Sequence, residues 1–267
     1  MSIKSILKPV FGLLLTSALI IVIFGSHSSA SAALGAGTAD FLITVNTMNP
    51  GTSTSFQFTI PTIGSEYNFN IDCNNDGTNE SKGHKGSYTC NYKIPETYTI
   101  RISDNTGAGL GFPRISFNNG GDMQKLLSVD QWGTGKWASM AGAFDGCMFM
   151  TLNATDASEL FYVADMSWMF AGASAFNADI SGWNMHTVTT AANMFNGAKL
   201  STANYDALLK GWDAQALQHG VSFDGGSSTY CTGATARADM ISHYGWTITD
   251  GGDSCLINNY LPLIVKN

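Results

Sequence analysis

Charge is scarce in this chain. Only 12% of its 267 residues are Asp, Glu, Lys or Arg, and 13 basic side chains face 20 acidic ones. Nucleic acid and anionic membrane both demand a positive face, so neither is expected as a partner. Catalytic signatures are missing as well. The sequence holds no Gly-x-Ser-x-Gly elbow, no His-Glu-x-x-His helix and no phosphate-cradling glycine loop. Without a Cys-x-x-Cys pair or clustered histidines, zinc is a poor fit. His84, His186, His219 and His243 lie in separate segments and read as solvated or structural. Carboxylate pairs for glycoside cleavage can be drawn in too many combinations to carry weight. The chain is therefore expected not to be an enzyme.

Long apolar runs are absent beyond the N-terminus. Lys4 and Lys8 precede an apolar run from Val10 to Phe24, and Ala30-Ser31-Ala32 follows it. That order is the pattern of a secretory signal peptide spanning 1–32, and the run falls short of the roughly 20 residues a membrane helix needs. Its removal takes away two lysines and no acid, moving the formal net charge from −7 to about −9. A secreted or cell-surface protein with no remaining membrane span is expected.

Cysteine is present in small number, five residues in all. In an oxidising compartment Cys73 and Cys90, flanking a hairpin, and Cys231 and Cys255, bracketing the last helix and strand, form the favoured disulfide pairs. Spacing alone does not fix that connectivity. Cys147 occupies a small-residue position of a repeat and is expected to be a buried free thiol.

What the chain does have is a phrase written three times: Met140-Ala-Gly-Ala-Phe144-Asp-Gly-Cys147, Met166-Ser-Trp-Met169-Phe170-Ala-Gly-Ala173 and Ala191-Ala-Asn-Met194-Phe195-Asn-Gly-Ala198. The phenylalanines stand 26 and 25 residues apart. A unit of this size cannot bury its apolar face alone, so the copies are expected to stack. Other columns keep the phase: Trp137, Val163 and Val188; Trp132 and Trp183; Val129 and Ile180; Met150 and Phe176. Met140, Phe144, Met166, Met169, Phe170, Phe176, Ile180, Trp183, Val188, Met194 and Phe195 are the expected core. A methionine-rich groove is the sharper reading of the same columns. Within each copy, Ala175 to Ile180 is expected as a strand and Val188 to Phe195 as a short helical turn, with Gly172 and Gly197 at the corner.

Residues 40–118 alternate apolar and polar side chains in five stretches: Phe41–Val45, Phe56–Ile60, Tyr67–Ile71, Tyr98–Ile102 and Arg114–Phe117. Turn residues separate them, which predicts an antiparallel β-sandwich. After Leu200, Ser201 caps an expected helix with Tyr205, Leu208, Leu209 and Trp212 on one face. A strand at Val221–Phe223, a helix at 234–243 and a strand at Trp246–Thr249 follow. Both strands end in Asp-Gly-Gly. The predicted organisation is thus mixed α/β: sandwich 40–118, repeat solenoid 121–200, terminal cap 201–255 and apolar tail 256–267.

Two stretches resemble known families. Tyr88-Thr-Cys-Asn-Tyr92-Lys-Ile-Pro95-Glu-Thr-Tyr98-Thr-Ile100-Arg-Ile102 is similar to the closing strands of PKD-like immunoglobulin-fold modules, with Glu96 where those carry glycine. Phe170-Ala-Gly-Ala-Ser-Ala-Phe176-Asn-Ala-Asp179-Ile-Ser-Gly-Trp183-Asn-Met-His-Thr-Val188 resembles the BspA-type bacterial surface leucine-rich-repeat family, in its branch of about 26 residues per repeat. That resemblance implies strand-plus-short-helix units and a non-enzymatic role in adhesion, with an extracellular protein or glycan as ligand. A carbohydrate-binding module and an extracellular hydrolase are the alternatives. One metal candidate remains. Asp72, Asn74 and Asp76 precede Gly77 as a calcium loop would, with Glu80 as a further ligand, and the same residues suit an Asx-rich hairpin turn.

Overall fold

Alternation of apolar residues produces the expected strands on the N-terminal side. The computed structural model describes residues 39–156 and 160–257; the expected signal segment 1–32 and positions 258–267 of the apolar tail lie outside the described residues. In β1 (Phe41–Asn46), Phe41, Ile43 and Val45 are buried and the residues between them are not. Then come β2 (Gln57–Ile60), β3 (Phe69–Asp72), β4 (Ser81–His84), β5 (Tyr88–Asn91) and β6 (Thr97–Asp104). The strand β7 (Leu126–Gln131) returns beside β1, and β8 (Thr151–Leu152) lies beside β7.

These strands make a six-stranded sheet in the order β4-β3-β6-β1-β7-β8, with β2 and β5 paired separately. The Cys73–Cys90 disulfide, Cα–Cα 5.7 Å, ties the end of β3 to β5. Strands within 40–118 pair antiparallel, and the sheet becomes mixed only where strands of the 121–200 region join it, β8 running parallel to β7 with Ser128 facing Thr151. The reason lies in the connection. A chain that comes back after one repeat length travels in the same direction as before, whereas a hairpin reverses it. Every later pairing obeys this rule: Asp165 with Thr190, Ala191 with Phe223, and Thr247 with Ser222 are all parallel.

Arg114–Phe117 is not a strand. Ile115, Ser116 and Phe117 are buried in succession rather than alternately. Their neighbourhood donates instead to the first repeat copy, through Phe117 N–H to Ala143 O (3.2 Å), Asn118 N–H to Gly142 O (3.0 Å) and Asn119 N–H to Asp145 O (3.1 Å).

A buried lysine closes the loop between β1 and β2. Lys125 Nζ donates to Ser53 O, Ser53 Oγ, Thr54 O and Gln57 O at 2.7–3.1 Å, with the Asp122 carboxylate 3.9 Å away. Asp122 in turn accepts from the Ser53 N–H, the Ser53 hydroxyl and the Thr59 N–H. Both side chains are buried, so each must have partners to be tolerated. Burial pulls the Lys125 ammonium below the usual lysine range, against the opposing pull of Asp122.

The C-terminal side follows its sequence closely. In α1 (Thr202–Asp213), the Ser201 hydroxyl accepts the Asn204 N–H at 3.3 Å, and Tyr205, Leu208, Leu209 and Trp212 are buried. Next come β9 (Ser222–Asp224), α2 (Ala234–Ser242), β10 (Thr247–Thr249) and a last turn, α3 (Ser254–Ile257). Asp206, buried on α1, accepts from the N–H groups of Cys231, Thr232 and Gly233 and from the Thr232 hydroxyl, fixing the approach to α2. Asp250, in the second Asp-Gly-Gly, accepts from Tyr205 (2.9 Å) and Arg237 Nε (2.7 Å). The Cys231–Cys255 disulfide closes this part, Cα–Cα 5.1 Å. Two structural disulfides point to an oxidising compartment. No helix among the described residues is long and apolar enough to cross a membrane.

Candidate interaction face

The three phrases lie on top of one another, joined by their backbones at alternate residues. Met140, Gly142, Phe144 and Gly146 donate to Asp165, Ser167, Met169 and Ala171 at 2.8–3.0 Å. Met166, Trp168, Phe170 and Gly172 donate in the same phase to Thr190, Ala192, Met194 and Asn196, at 2.8–3.0 Å. The third copy continues the ladder into the cap, with Ala191 donating to Ser222 and Phe195 to Asp224.

Inside, the columns stack as expected. Ring centroids of Phe144 and Phe170 are 5.7 Å apart, those of Phe170 and Phe195 5.5 Å, and those of Phe170 and Phe176 4.0 Å. Trp132 meets Trp183 edge-on at 5.7 Å. Met140, Met166, Met169, Ile180, Val188 and Met194 are buried with them, which makes the methionines packing material rather than an open groove. Burying one such ring stabilises the fold by about 1.5–3 kcal/mol. Cys147 is a buried free thiol, and burial raises its pKa well above the ordinary cysteine value.

The expected secondary structure within a copy is corrected. Neither Ala175–Ile180 nor Val188–Phe195 forms a strand or helix; both are turns and irregular chain, the second with isolated bridges at Thr190 and Ala191. For the second stretch the reason is a left-handed residue inside it, Asn193, one of two such positions in each copy. Gly142, Trp168 and Asn193 share one column with φ of 61°, 60° and 57°, and Gly146, Gly172 and Gly197 share another with φ of 80°, 67° and 72°. A reversal of φ at such a residue interrupts a helix. At Gly172 a Cβ would meet the Cα of Gly146 at an ordinary 3.5 Å, so the positive φ rather than lack of room is what favours glycine there.

Outside the core columns the stack exposes large side chains that do not repeat: Met148, Phe149, Phe161, Tyr162 and Trp168. Phe161 and Tyr162 touch edge-on at 5.2 Å. Tyr162 also borders a groove of about 480 Å³ lined by Glu66, Thr106, Leu110, Pro113, Lys136, Trp137 and Ala138. A second hollow of about 320 Å³ shares Glu66, Pro113 and Ala138 with it and adds Ile63, Tyr67 and Arg114. The repeat region itself is one-signed in sequence. From Ala138 to Ala198 the sequence has no lysine or arginine, while it has five acids, Asp145, Asp156, Glu159, Asp165 and Asp179.

The candidate calcium residues fall in one loop, but their oxygens face donors of the protein itself. Asp72 is buried and accepts from Asp76 N–H (3.1 Å), Gly77 N–H (2.8 Å) and Arg101 Nη2 (3.0 Å). Asp76 accepts from Thr78 N–H and the Asn74 amide, and Glu80 accepts from Cys73 N–H at 2.7 Å. The Thr78 and Asn74 bonds hold the Asp76 carboxyl below its ordinary value. Among the described residues no group of three or more His, Cys, Asp and Glu side chains is arranged to hold a metal ion. The arrangement is that of an Asx turn locked by an arginine. Of the histidines, His84 Nδ1 shares a hydrogen bond with the Ser81 hydroxyl (3.2 Å) and its Nε2 one with Ser87 O, His186 bonds Ala216 O, and the His219 and His243 rings lie 6.5 Å apart beside Tyr244.

Residues 115–227 match the family described as "Mycoplasma protein of unknown function, DUF285". The matched segment starts at the buried Ile115 that leads into the first copy, spans all three phrases and ends just after β9, so it coincides with the ladder rather than with the N-terminal strands. It covers under half of the chain. No curated protein and no solved structure matches the sequence.

Sequence reasoning missed Trp168 as a candidate site residue. Its signal was available in the column of three phrases. Glycine and asparagine, the two residues that most readily take a left-handed conformation, stand at 142 and 193, and a tryptophan stands between them.

Proposed function

We propose that this is an exported, non-enzymatic interaction protein of the cell surface or its surroundings, whose stacked copies form a short leucine-rich-repeat-like solenoid of the BspA type and present a recognition face. The N-terminal strands, read as a PKD-like sandwich, serve as its base, and the signal segment 1–32 directs export. One observation carries the reading: exposed, non-repeating aromatic side chains project from a scaffold whose repeating residues are all used for packing. Solenoids commonly use the surface made by stacking for binding. An array of three copies is small, so affinity for a single ligand should be modest and avidity should come from many displayed copies.

The test is direct. The chain from residue 33, immobilised at high density, should retain intact cells, extracellular matrix proteins or glycans, and replacing Phe149, Phe161 and Tyr162 together by serine should reduce retention without lowering the melting temperature. Silence towards all of these, together with turnover of ester, peptide or glycoside substrates, would replace this reading with the hydrolase.

A further inference from the structure

Trp168 is an exposed tryptophan held in a conformation that tryptophan avoids. Its φ is 60°, in the left-handed region where a bulky side chain is a genuine outlier. Its own N–H is fixed to Ala192 O at 3.0 Å, and the Gly142 N–H donates to the carbonyl of the preceding Ser167 at 2.8 Å. The ladder thus imposes the conformation, and the sister positions meet it with glycine and asparagine. Burial does not reward the indole for this strain. Trp168 is 45% exposed, whereas Trp132, Trp137, Trp183, Trp212 and Trp246 are all buried. Strain kept in an exposed residue that packing does not need is the mark of a residue retained for contact with something else.

The surroundings specify what that something is. Polar side chains neighbour Trp168 along the ladder. Ser167 Oγ and Thr190 Oγ1 are 3.2 Å apart, the Asp165 carboxylate accepts the Ser167 N–H at 2.8 Å, and Asn193 follows one copy on. A flat aromatic platform beside hydroxyl, amide and carboxylate groups suits a pyranose ring. Its C–H face lies on the electron-rich face of the indole while its hydroxyls exchange hydrogen bonds with the flanking groups. Asp165, Ser167, Thr190 and Asn193 bring no positive charge, and the carboxylate among them disfavours an anionic sugar at this position. We infer that Trp168, with Asp165, Ser167, Thr190 and Asn193, forms a subsite for a neutral glycan. This rests on the proposed display function and names its ligand class.

Because Trp168 is the one exposed tryptophan of six, intrinsic fluorescence reports on it directly. Neutral hexose and N-acetylhexosamine oligosaccharides should bind on a glycan array and protect the quenchable part of the emission from acrylamide. Acidic glycans should do neither. Trp168→Gly, which installs the residue found at 142, should weaken neutral-glycan binding roughly tenfold or more while the protein melts no lower than the parent. Trp168→Phe should keep most of the binding. Binding unchanged in Trp168→Gly would overturn the subsite, and so would a lower melting temperature, which would make the indole a packing residue. Capture of an oligolysine peptide in place of neutral glycans would overturn it as well. If glycans fail but cells or matrix proteins are still retained, the subsite falls and the display function stands; if nothing extracellular is retained, the display function falls too.

Discussion

The N-terminal sheet and the repeat stack solve the same problem with opposite materials. Around the sheet, buried charges are admitted and then satisfied: Asp72 by Arg101 and two backbone amides, Asp122 and Lys125 by a loop folded around them. In the stack, between residues 138 and 198, none of the described buried residues is polar or charged, and the interior is methionine, phenylalanine, tryptophan and small residues. The sheet closes through antiparallel partners and a disulfide, the stack through parallel rungs one repeat apart. Polar clusters specify a single irregular arrangement because each member needs its own partner. Columns specify a pattern that repeats, because one rung's surface is the next rung's complement.

That contrast is open to attack, first at its apolar end. Phe170 contacts Phe144, Phe176 and Phe195, so Phe170→Ala should destabilise by about 3–5 kcal/mol in denaturant unfolding. A loss below about 1 kcal/mol would mean that the column is not shared between rungs. On the polar side, Lys125→Met leaves Asp122 buried without its cation and should remove about 3 kcal/mol. If Lys125→Met left stability unchanged, the loop cluster would owe its shape to something other than the ammonium.

Smaller effects sharpen the picture. Ser201→Ala should lower stability by about 1 kcal/mol through the lost cap of α1, with no change in the sheet's amide exchange. Asp104 tests the polar mode by pH. Burial alone would raise it, but the Thr106 hydroxyl and the Gly109, Thr106 and Gly111 amides hold it down to about 2. A carboxyl depressed in the fold contributes stability above its ordinary value of 3.8 and loses it as pH falls towards 2. Asp104→Asn should therefore flatten the stability profile over that acid window and leave the stack's own pH response alone. An unchanged profile in the variant would show that those amides do not discriminate between the charged and neutral carboxyl.

The comparison also separates what was legible from what was not. The columns of the repeat, the cap at Ser201 and the strands near Phe41, Phe58, Phe69 and Ile100 could be read from residue spacing, since each is a local or periodic rule; the two favoured disulfide pairs are present, though spacing had left their connectivity open. The strand at Arg114–Phe117 misled because its apolar residues serve the first copy of the stack, a partner far from it in type though near in sequence. The helical turn expected inside each copy misled because a left-handed residue, Asn193 in the third copy, overrides propensity. Lys125 and Asp122 gave no signal, since a lysine in sequence looks like surface.

By itself, the sequence determined that three units would pile up and which side chains would face inward, because a period and an apolar column are properties of order along the chain. Only the tertiary structure decided that Asp72 is spent on Arg101, that Lys125 sits in a ring of carbonyls, and that Trp168 stands outside the core in a conformation borrowed from glycine. Those outcomes depend on which backbone groups remain unpaired once distant segments meet, and that is settled by contact in space.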